Sequence, residues 1–138
     1  MYEKLLVAVD HSDITERVLA AARDLALLSS GEVWVLHLRE REVMPRAGLI
    51  ATETSDEAQA NVDAAVAELT EAGVKAHGIV RNTIYGYAAR EIIAEARAED
   101  VSAIIMGSRG RGDLAGLVLG STAHKVIHLA DRPVLVVR

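Results

Sequence analysis

The residues best suited to chemistry lie in one stretch, Gly107-Ser108-Arg109-Gly110-Arg111-Gly112-Asp113-Leu114-Ala115-Gly116-Leu117-Val118-Leu119-Gly120-Ser121-Thr122. Its glycines let backbone N–H groups approach a bound group with no Cβ in the way. Ser121 and Thr122 add hydroxyls, and Arg109 and Arg111 add positive charge. The chemistry this suits is the binding of an anion, a phosphate above all. An apolar run at residues 101–106 precedes the stretch and a helical pattern at 123–130 follows it. A strand would therefore enter the loop and a helix N-terminus would leave it, and the first amides and dipole of a helix favour negative charge. The alternative is a surface loop with an ordinary Ser/Thr helix cap, which draws on the same residue types.

Other reactive residues offer less. Asp10 ends the first apolar run and suits either a ligand site or the capping of the helix that follows. His124 and His128 stand four apart on a helix, but Lys125 rather than Glu follows His124 and no third ligand is evident, so the spacing reads as an amphipathic face. His37 reads as a core or strand-end histidine. There is no cysteine, which excludes disulfides, thiolate metal sites and cysteine nucleophiles.

Composition narrows the function classes. The 138 residues are 51% hydrophobic and 25% charged, which suits one globular domain spanning 1–138. The net charge is −5, without the broad basic footprint that nucleic-acid binding requires. The charge is uneven: residues 1–106 carry 10 Lys/Arg and 18 Asp/Glu, whereas residues 107–138 carry 5 and 2. The positive segment begins at the glycine loop. Phe is absent and Trp34 is joined by three Tyr, so the core is aliphatic and stacking platforms for single strands are lacking. Glu3, Lys4 and Asp10 interrupt any signal-type apolar core, and no apolar run reaches the length of a membrane span. A cytoplasmic protein with no nucleic-acid or membrane partner is the expectation.

The elements that would position these residues alternate regularly. Residues 3–10 read as a strand buried on both faces. A helix follows, capped by Ser12 or Asp13, with Ile14, Val18, Ala21, Leu25 and Leu28 at helical spacing and Gly31 just beyond it. Residues 33–38 form a second strand. Residues 39–54 are irregular and long for a connection, either a lid or variable surface. A helix from 54 or 55 to 72 ends at Gly73, and residues 74–80 form a third strand. Residues 81–83 turn the chain into a helix from about 84 to 98. The strand at 101–106, the glycine loop, the last helix and a final strand at 134–138 complete a βαβαβαβαβ pattern. This is a doubly wound parallel α/β sheet, with its strand-to-helix turns along one edge.

Common nucleotide motifs fail on this loop. No Gly-x4-Gly-Lys-Ser/Thr occurs, and Gly110 and Gly112 are followed by Ala115 where a dinucleotide fingerprint needs glycine. A receiver domain also begins with an apolar strand ending in Asp, but it needs a phosphoacceptor Asp after the third strand, where Arg81-Asn82 stands. The spacing present is Gly107-x2-Gly110-x9-Gly120-Ser121. With it the chain resembles the universal stress proteins, whose ATP-binding members carry Gly-x2-Gly-x9-Gly-Ser/Thr after the fourth strand. The resemblance extends along nearly the whole length. It includes residues 5–10, His37-Leu38, residues 105–108, residues 119–126 and residues 132–138. His11 stands where the family often has glycine, and Val80-Arg81-Asn82 replaces the usual Gly-x-Pro-type turn.

The resemblance implies a three-layer, Rossmann-like fold of the adenine nucleotide α-hydrolase type, with five parallel strands in the order 3-2-1-4-5. The switch point then falls between strands one and four and sets Asp10 beside Gly107. It also implies roles. Backbone groups near Leu38 would receive adenine beside Val9. Asp10, with His11 next to it, would face the ribose and polar end, with Mg2+ or Mn2+ alongside the phosphates. Met106 and Gly107 would line the nucleotide. Gly107, Gly110 and the amides around Ser108, Arg109, Arg111 and Gly112 would wrap the phosphates, and Gly120, Ser121 and Thr122 would close them in. The last strand, Val134, Leu135, Val136 and Val137, would pair with its copy in a homodimer, as an exposed apolar edge tends to do.

The function that follows is an ATP-binding regulatory or stress-response protein acting through a signalling partner that the sequence does not identify. It would hydrolyse ATP slowly at most, because phosphoryl transfer needs a positioned acceptor and nothing marks Asp10 as a base. Two other classes remain: an adenylating or phosphoryl-transfer enzyme on the same scaffold, for which no second-substrate motif is found, and a structural dimer that binds no nucleotide.

Overall fold

A computed structural model describes residues 1–10, 12–110 and 119–138. The elements run β1 (Lys4–Val9), α1 (Thr15–Ser29), β2 (Glu32–Met44), β3 (Gly48–Ala51), α2 (Ser55–Glu71), β4 (Lys75–Ile84), α3 (Ala88–Ala98), β5 (Ala103–Gly107), α4 (Ser121–Leu129) and β6 (Val134–Val137). Five parallel strands lie in the order β4-β2-β1-β5-β6, which is the order expected. A sixth strand corrects the expectation: β3 pairs antiparallel with the far end of β2.

Helices on both faces explain the sequence of the central strands. Leu5, Leu6 and Val7 are all fully buried, successive residues pointing to opposite layers. Leu5, Val7, Val33, Val35 and Ile105 pack against α1 and α2. Leu6, Leu36, Ile104 and Met106 pack against α3 and α4 through Ile92, Ala96 and Val126. The core is aliphatic, as the composition requires. Gly78 on β4 admits α2 closely, since a Cβ there would strike Val62.

The segment 39–54 is not irregular. β2 continues through it to Met44, turns at Arg46 (φ 70°) and Gly48 (φ 77°), and returns as β3. The charged residues of Arg39-Glu40-Arg41-Glu42 alternate between two faces of a strand that has run beyond the helices, so polar side chains occupy both. Likewise Arg81-Asn82-Thr83 is strand rather than turn: β4 stays paired with β2 out to Arg41 and Ile84. That delays α3 to Ala88, with Gly86 (φ +94°) turning the chain just before it.

Two cap assignments also change. α1 starts from Ile14 with no side-chain cap, so neither Ser12 nor Asp13 caps it. The left-handed residue closing α1 is Ser30 (φ 53°). Gly31 is required for another reason: a Cβ there would meet the Tyr2 carbonyl oxygen at 2.6 Å. α2 is capped as its sequence suggests, the Thr54 hydroxyl accepting the Glu57 N–H at 3.1 Å.

Candidate functional site

The site is set by where the chain changes face. β1 leads into α1 on one side of the sheet, and its neighbour β5 leads towards α4 on the other. The carboxyl ends of the two strands therefore part, and such a crevice is where open α/β sheets bind ligands. A cavity of about 450 Å³ lies there, a size suited to a small-molecule ligand.

Its walls differ in chemistry. Ala8, Leu36, Leu38, Ala89, Ile92 and Met106 form an apolar slot on the α3/α4 side. Gly107, Arg109, Gly110, Ser121, Thr122 and Lys125 form a polar, cationic corner. Glu40, Glu42, Ile50, Thr52 and Glu53, from the β2–β3 hairpin and its exit, form the third side.

The cationic corner is built on the start of α4. The N-cap is Gly120, with no side-chain cap, so Ser121 and Thr122 are the first residues inside the helix rather than its cap. No acidic residue occupies that first turn. The helix thus presents its positive end to the cavity, with Arg109 and Lys125 at hand. The loop that leads here is cinched at its neck: the Gly120 N–H donates to the Ser108 carbonyl at 2.5 Å, and the Ser108 N–H donates to the Val137 carbonyl at 2.7 Å. Ser108 itself is buried and holds the neck rather than lining the cavity. Gly107 has a structural reason of its own. A Cβ there would lie 2.5 Å from Ile14 Cδ1 at the start of α1, so the glycine lets the two sides of the crevice close together.

Asp10 sits across from this corner. Its carboxylate accepts the Ser12 N–H at 2.9 Å, and its carbonyl accepts the Thr15 hydroxyl at 2.5 Å. It shapes the turn into α1 and also lines the cavity. Beside it, the buried Ser12 hydroxyl lines the cavity with no hydrogen-bond partner among the described residues. A buried polar atom without a partner is costly, and a ligand group would relieve it. For a divalent cation the described residues supply no cluster of three His, Asp or Glu. Asp10 fits the role of one carboxylate ligand beside phosphate oxygens, the usual protein share of a magnesium site.

The β2 edge carries a second opening. On its β1 side, β2 is paired with β1 up to His37 and with β3 from Arg41 onward. Residues 38–40 lie between the two, with no strand partner on that edge among the described residues. The flanks of this gap are pinned. His37 is 4% exposed; its Nδ1–H donates to the Val9 carbonyl at 3.0 Å, and its Nε2 is hydrogen-bonded to Glu53 Oε1 at 2.5 Å. Arg39 donates to the Glu53 carbonyl at 2.9 Å. The histidine expected at a strand end thus ties the end of β1 to the exit of the hairpin. Glu40, the last residue of the gap, is half-buried. Burial pushes its carboxyl up from the ordinary glutamate range, and the negative charge of Asp10 pushes it further.

Of the expected site residues, Val9, Asp10, Leu38, Met106 and Gly107 come together around the crevice with Arg109, Gly110, Ser121 and Thr122. Gly120 and Ser108 stand behind them as cap and neck. His11, Arg111 and Gly112 lie outside the described residues. His124 and His128 are exposed on α4, on the amphipathic face expected. The sequence reading missed Ser12, Glu40 and Lys125 as lining residues. The signal for Glu40 was alternation, since Leu36, Leu38 and Glu40 continue one face of a single strand.

Known proteins share this architecture. The family model described as the universal stress protein family matches residues 1–138. Universal stress protein YxiE of Bacillus subtilis is 35% identical, with all of both chains covered. Universal stress protein MJ0577 of Methanocaldococcus jannaschii is 32% identical over all of this chain and 96% of the relative. The solved structure of MJ0577 superposes with a TM-score of 0.82, covering 99% of this chain and 96% of that one at 29% identity. A solved universal stress protein from Archaeoglobus fulgidus in complex with dAMP superposes at 0.76, covering 99% and 98% at 28% identity. With the fold, the crevice and these matches in agreement, the chain belongs to the universal stress protein family.

Proposed function

We propose that this protein binds an adenine nucleotide, ATP in the first instance, in the crevice between β1 and β5, and that it acts as a regulatory, stress-response protein. The observation that carries the reading is the pairing of two complementary openings across one cavity. The α4 N-terminus, with no side-chain cap, and the side chains of Arg109 and Lys125 suit phosphates. The unpaired β2 edge at residues 38–40 suits the hydrogen-bonding edge of a base, and the apolar slot suits its faces. Asp10 and the Ser12 hydroxyl, which has no hydrogen-bond partner among the described residues, suit the ribose between them. The dAMP complex of the Archaeoglobus relative supports the same ligand class. Mg2+ or Mn2+ would be held between Asp10 and the phosphates.

In this reading Gly107, Arg109, Gly110, Arg111 and Gly112 wrap the phosphates above the neck that Ser108 holds, and Gly120, Ser121 and Thr122 close the site. Hydrolysis is slow at most, and the bound state acts through a signalling partner. The protein forms a homodimer through β6, whose pairing among the described residues is with β5 on one side, leaving Val134–Val137 as an edge with Leu135 exposed.

Native mass spectrometry of the purified protein, with and without added ATP and magnesium, tests the reading. One adenine nucleotide per chain is expected. A protein that takes up none at millimolar ATP would overturn it.

A further inference from the structure

We infer that Glu40 reads the base: its carboxyl selects a purine bearing an amino group at position six over one bearing an oxo group there. The inference rests on the nucleotide site proposed above and names what that site discriminates.

The argument begins with the strand. Leu38 and Glu40 are two residues apart on β2, so their side chains leave the same face. Leu38 packs into the α3/α4 layer and lines the apolar slot. Glu40 continues that face past the end of the slot and lines the same cavity. Between these two side chains runs the backbone edge that neither β1 nor β3 pairs. A base whose hydrogen-bonding edge meets that backbone has its exocyclic group directed along the strand towards position 40. A phosphate-bearing ligand has one orientation available, because its anionic end belongs at Arg109, Lys125 and the start of α4, and its base must then occupy the acidic side.

The chemistry at position 40 is one-sided. An ionised carboxylate accepts hydrogen bonds and donates none. An amino group donates to it. An oxo group in the same place meets it lone pair to lone pair, and the ring N–H beside that oxo group mismatches the backbone edge as well. Glu40 is half-buried, and burial and the nearby Asp10 both raise the cost of its charge. A carboxylate held at such a cost gains from a donor and penalises an acceptor, the asymmetry by which buried polar groups reject analogues. Glu42 is the next residue on this face but is exposed, so it serves as a neighbouring acid with a weaker hold on the ligand.

The experiment measures dissociation constants of ATP and inosine triphosphate by calorimetry, in the presence of magnesium. The two ligands differ in the group at position six of the purine and in the ring protonation that accompanies it. Native protein, Glu40→Gln and Glu42→Gln are compared, with thermal melting to confirm that each folds. Native protein is expected to favour ATP by more than about tenfold. Glu40→Gln, whose amide both donates and accepts, is expected to reduce that ratio by about tenfold, mainly by tightening inosine triphosphate. Glu42→Gln is expected to reduce the ratio by less than Glu40→Gln does, and an equal or larger reduction would overturn the assignment to Glu40. If Glu40→Gln keeps the native ratio, or tightens both nucleotides equally through simple charge relief, Glu40 does not read the base and the nucleotide site stands. If native protein binds neither nucleotide, the site reading falls and this inference falls with it.

Discussion

Two helix starts in this molecule use similar residues for opposite ends. α2 begins after Thr54, whose hydroxyl accepts the Glu57 N–H, and Asp56 and Glu57 add negative charge in the first turn. Its amides and dipole are served by its own sequence. α4 begins after Gly120, which has no side chain to offer, and no acid follows in its first turn. Its hydroxyl residues, Ser121 and Thr122, sit one step too late to cap and instead line the cavity. Capping is worth about 1 kcal/mol. α4 forgoes it; α1 and α3, whose starts also line the cavity, forgo it too, but among the described helices only α4 has no acid in its first turn as well. On the proposed reading, α2 serves its own end with cap and acids, and α4 leaves its end for a ligand.

The largest effect should come from filling the loop that faces α4. Gly110→Trp places a bulky side chain where the backbone must approach the phosphates. ATP affinity should fall by about a hundredfold or more, which corresponds to about 2.7 kcal/mol, while far-UV circular dichroism keeps the native spectrum. Unchanged ATP affinity in calorimetry would remove the loop from the site.

Ser121→Asp tests the comparison directly, because it gives α4 the acidic start that α2 has. The residue is exposed at the first position of the helix. A carboxylate there should stabilise the fold by about 0.3–1 kcal/mol through the helix dipole. The same charge should repel the phosphates and weaken ATP by about tenfold or more. Melting temperature and affinity should thus move in opposite directions. A rise in both would mean that the α4 start is not an anion site.

Thr54→Ala is the reverse experiment on α2. Stability should drop by about 1 kcal/mol, seen in urea denaturation, and ATP affinity should not change. A loss of affinity would show that the exit of the hairpin, through Glu53 and its bond to His37, shapes the crevice more strongly than its position suggests.

These contrasts also show which parts of the molecule a sequence discloses. The alternating strands and helices were legible because aliphatic runs such as 5–9 and 101–106 have no other stable use in a chain of this composition. The family was legible because the spacing and flanks of the glycine stretch carry a resemblance. The hairpin was not. Residues 39–42 are charged, a pattern shared by loops and by strands that extend beyond the helical layers, and pairing with β3 and β4 decides between them. The sequence does not decide the cap at Ser121 for a similar reason: which residue is the cap depends on where α4 starts, and a shift of one residue turns a cap into a cavity-lining hydroxyl. The role of Gly107 against Ile14 depends on a contact between residues 93 positions apart in the chain, which local sequence does not carry.

The smallest effect concerns the acidic side of the cavity, and its sign follows from the fold. Burial and Asp10 raise the Glu40 carboxyl above its ordinary value. The folded chain therefore holds this proton more tightly than the unfolded chain does. As pH rises above about 4, where an unfolded glutamate ionises, the folded state loses stability relative to the unfolded one, until the folded carboxyl has ionised as well. Glu40→Gln has no such proton. The stability difference between Glu40→Gln and native protein should therefore shift in favour of the variant as pH rises above about 4, and level off once the folded carboxyl has ionised. Because Glu40 is half-exposed, solvent screening keeps the shift small, and parallel urea titrations at several pH values are needed to resolve it. Addition of ATP to native protein should shrink the difference, since a donor on the base adds to the partial relief that His37 gives the Glu40 charge. A difference that keeps its size with ATP bound would place the base away from Glu40 and return the acidic side of the cavity to the role of excluding phosphate.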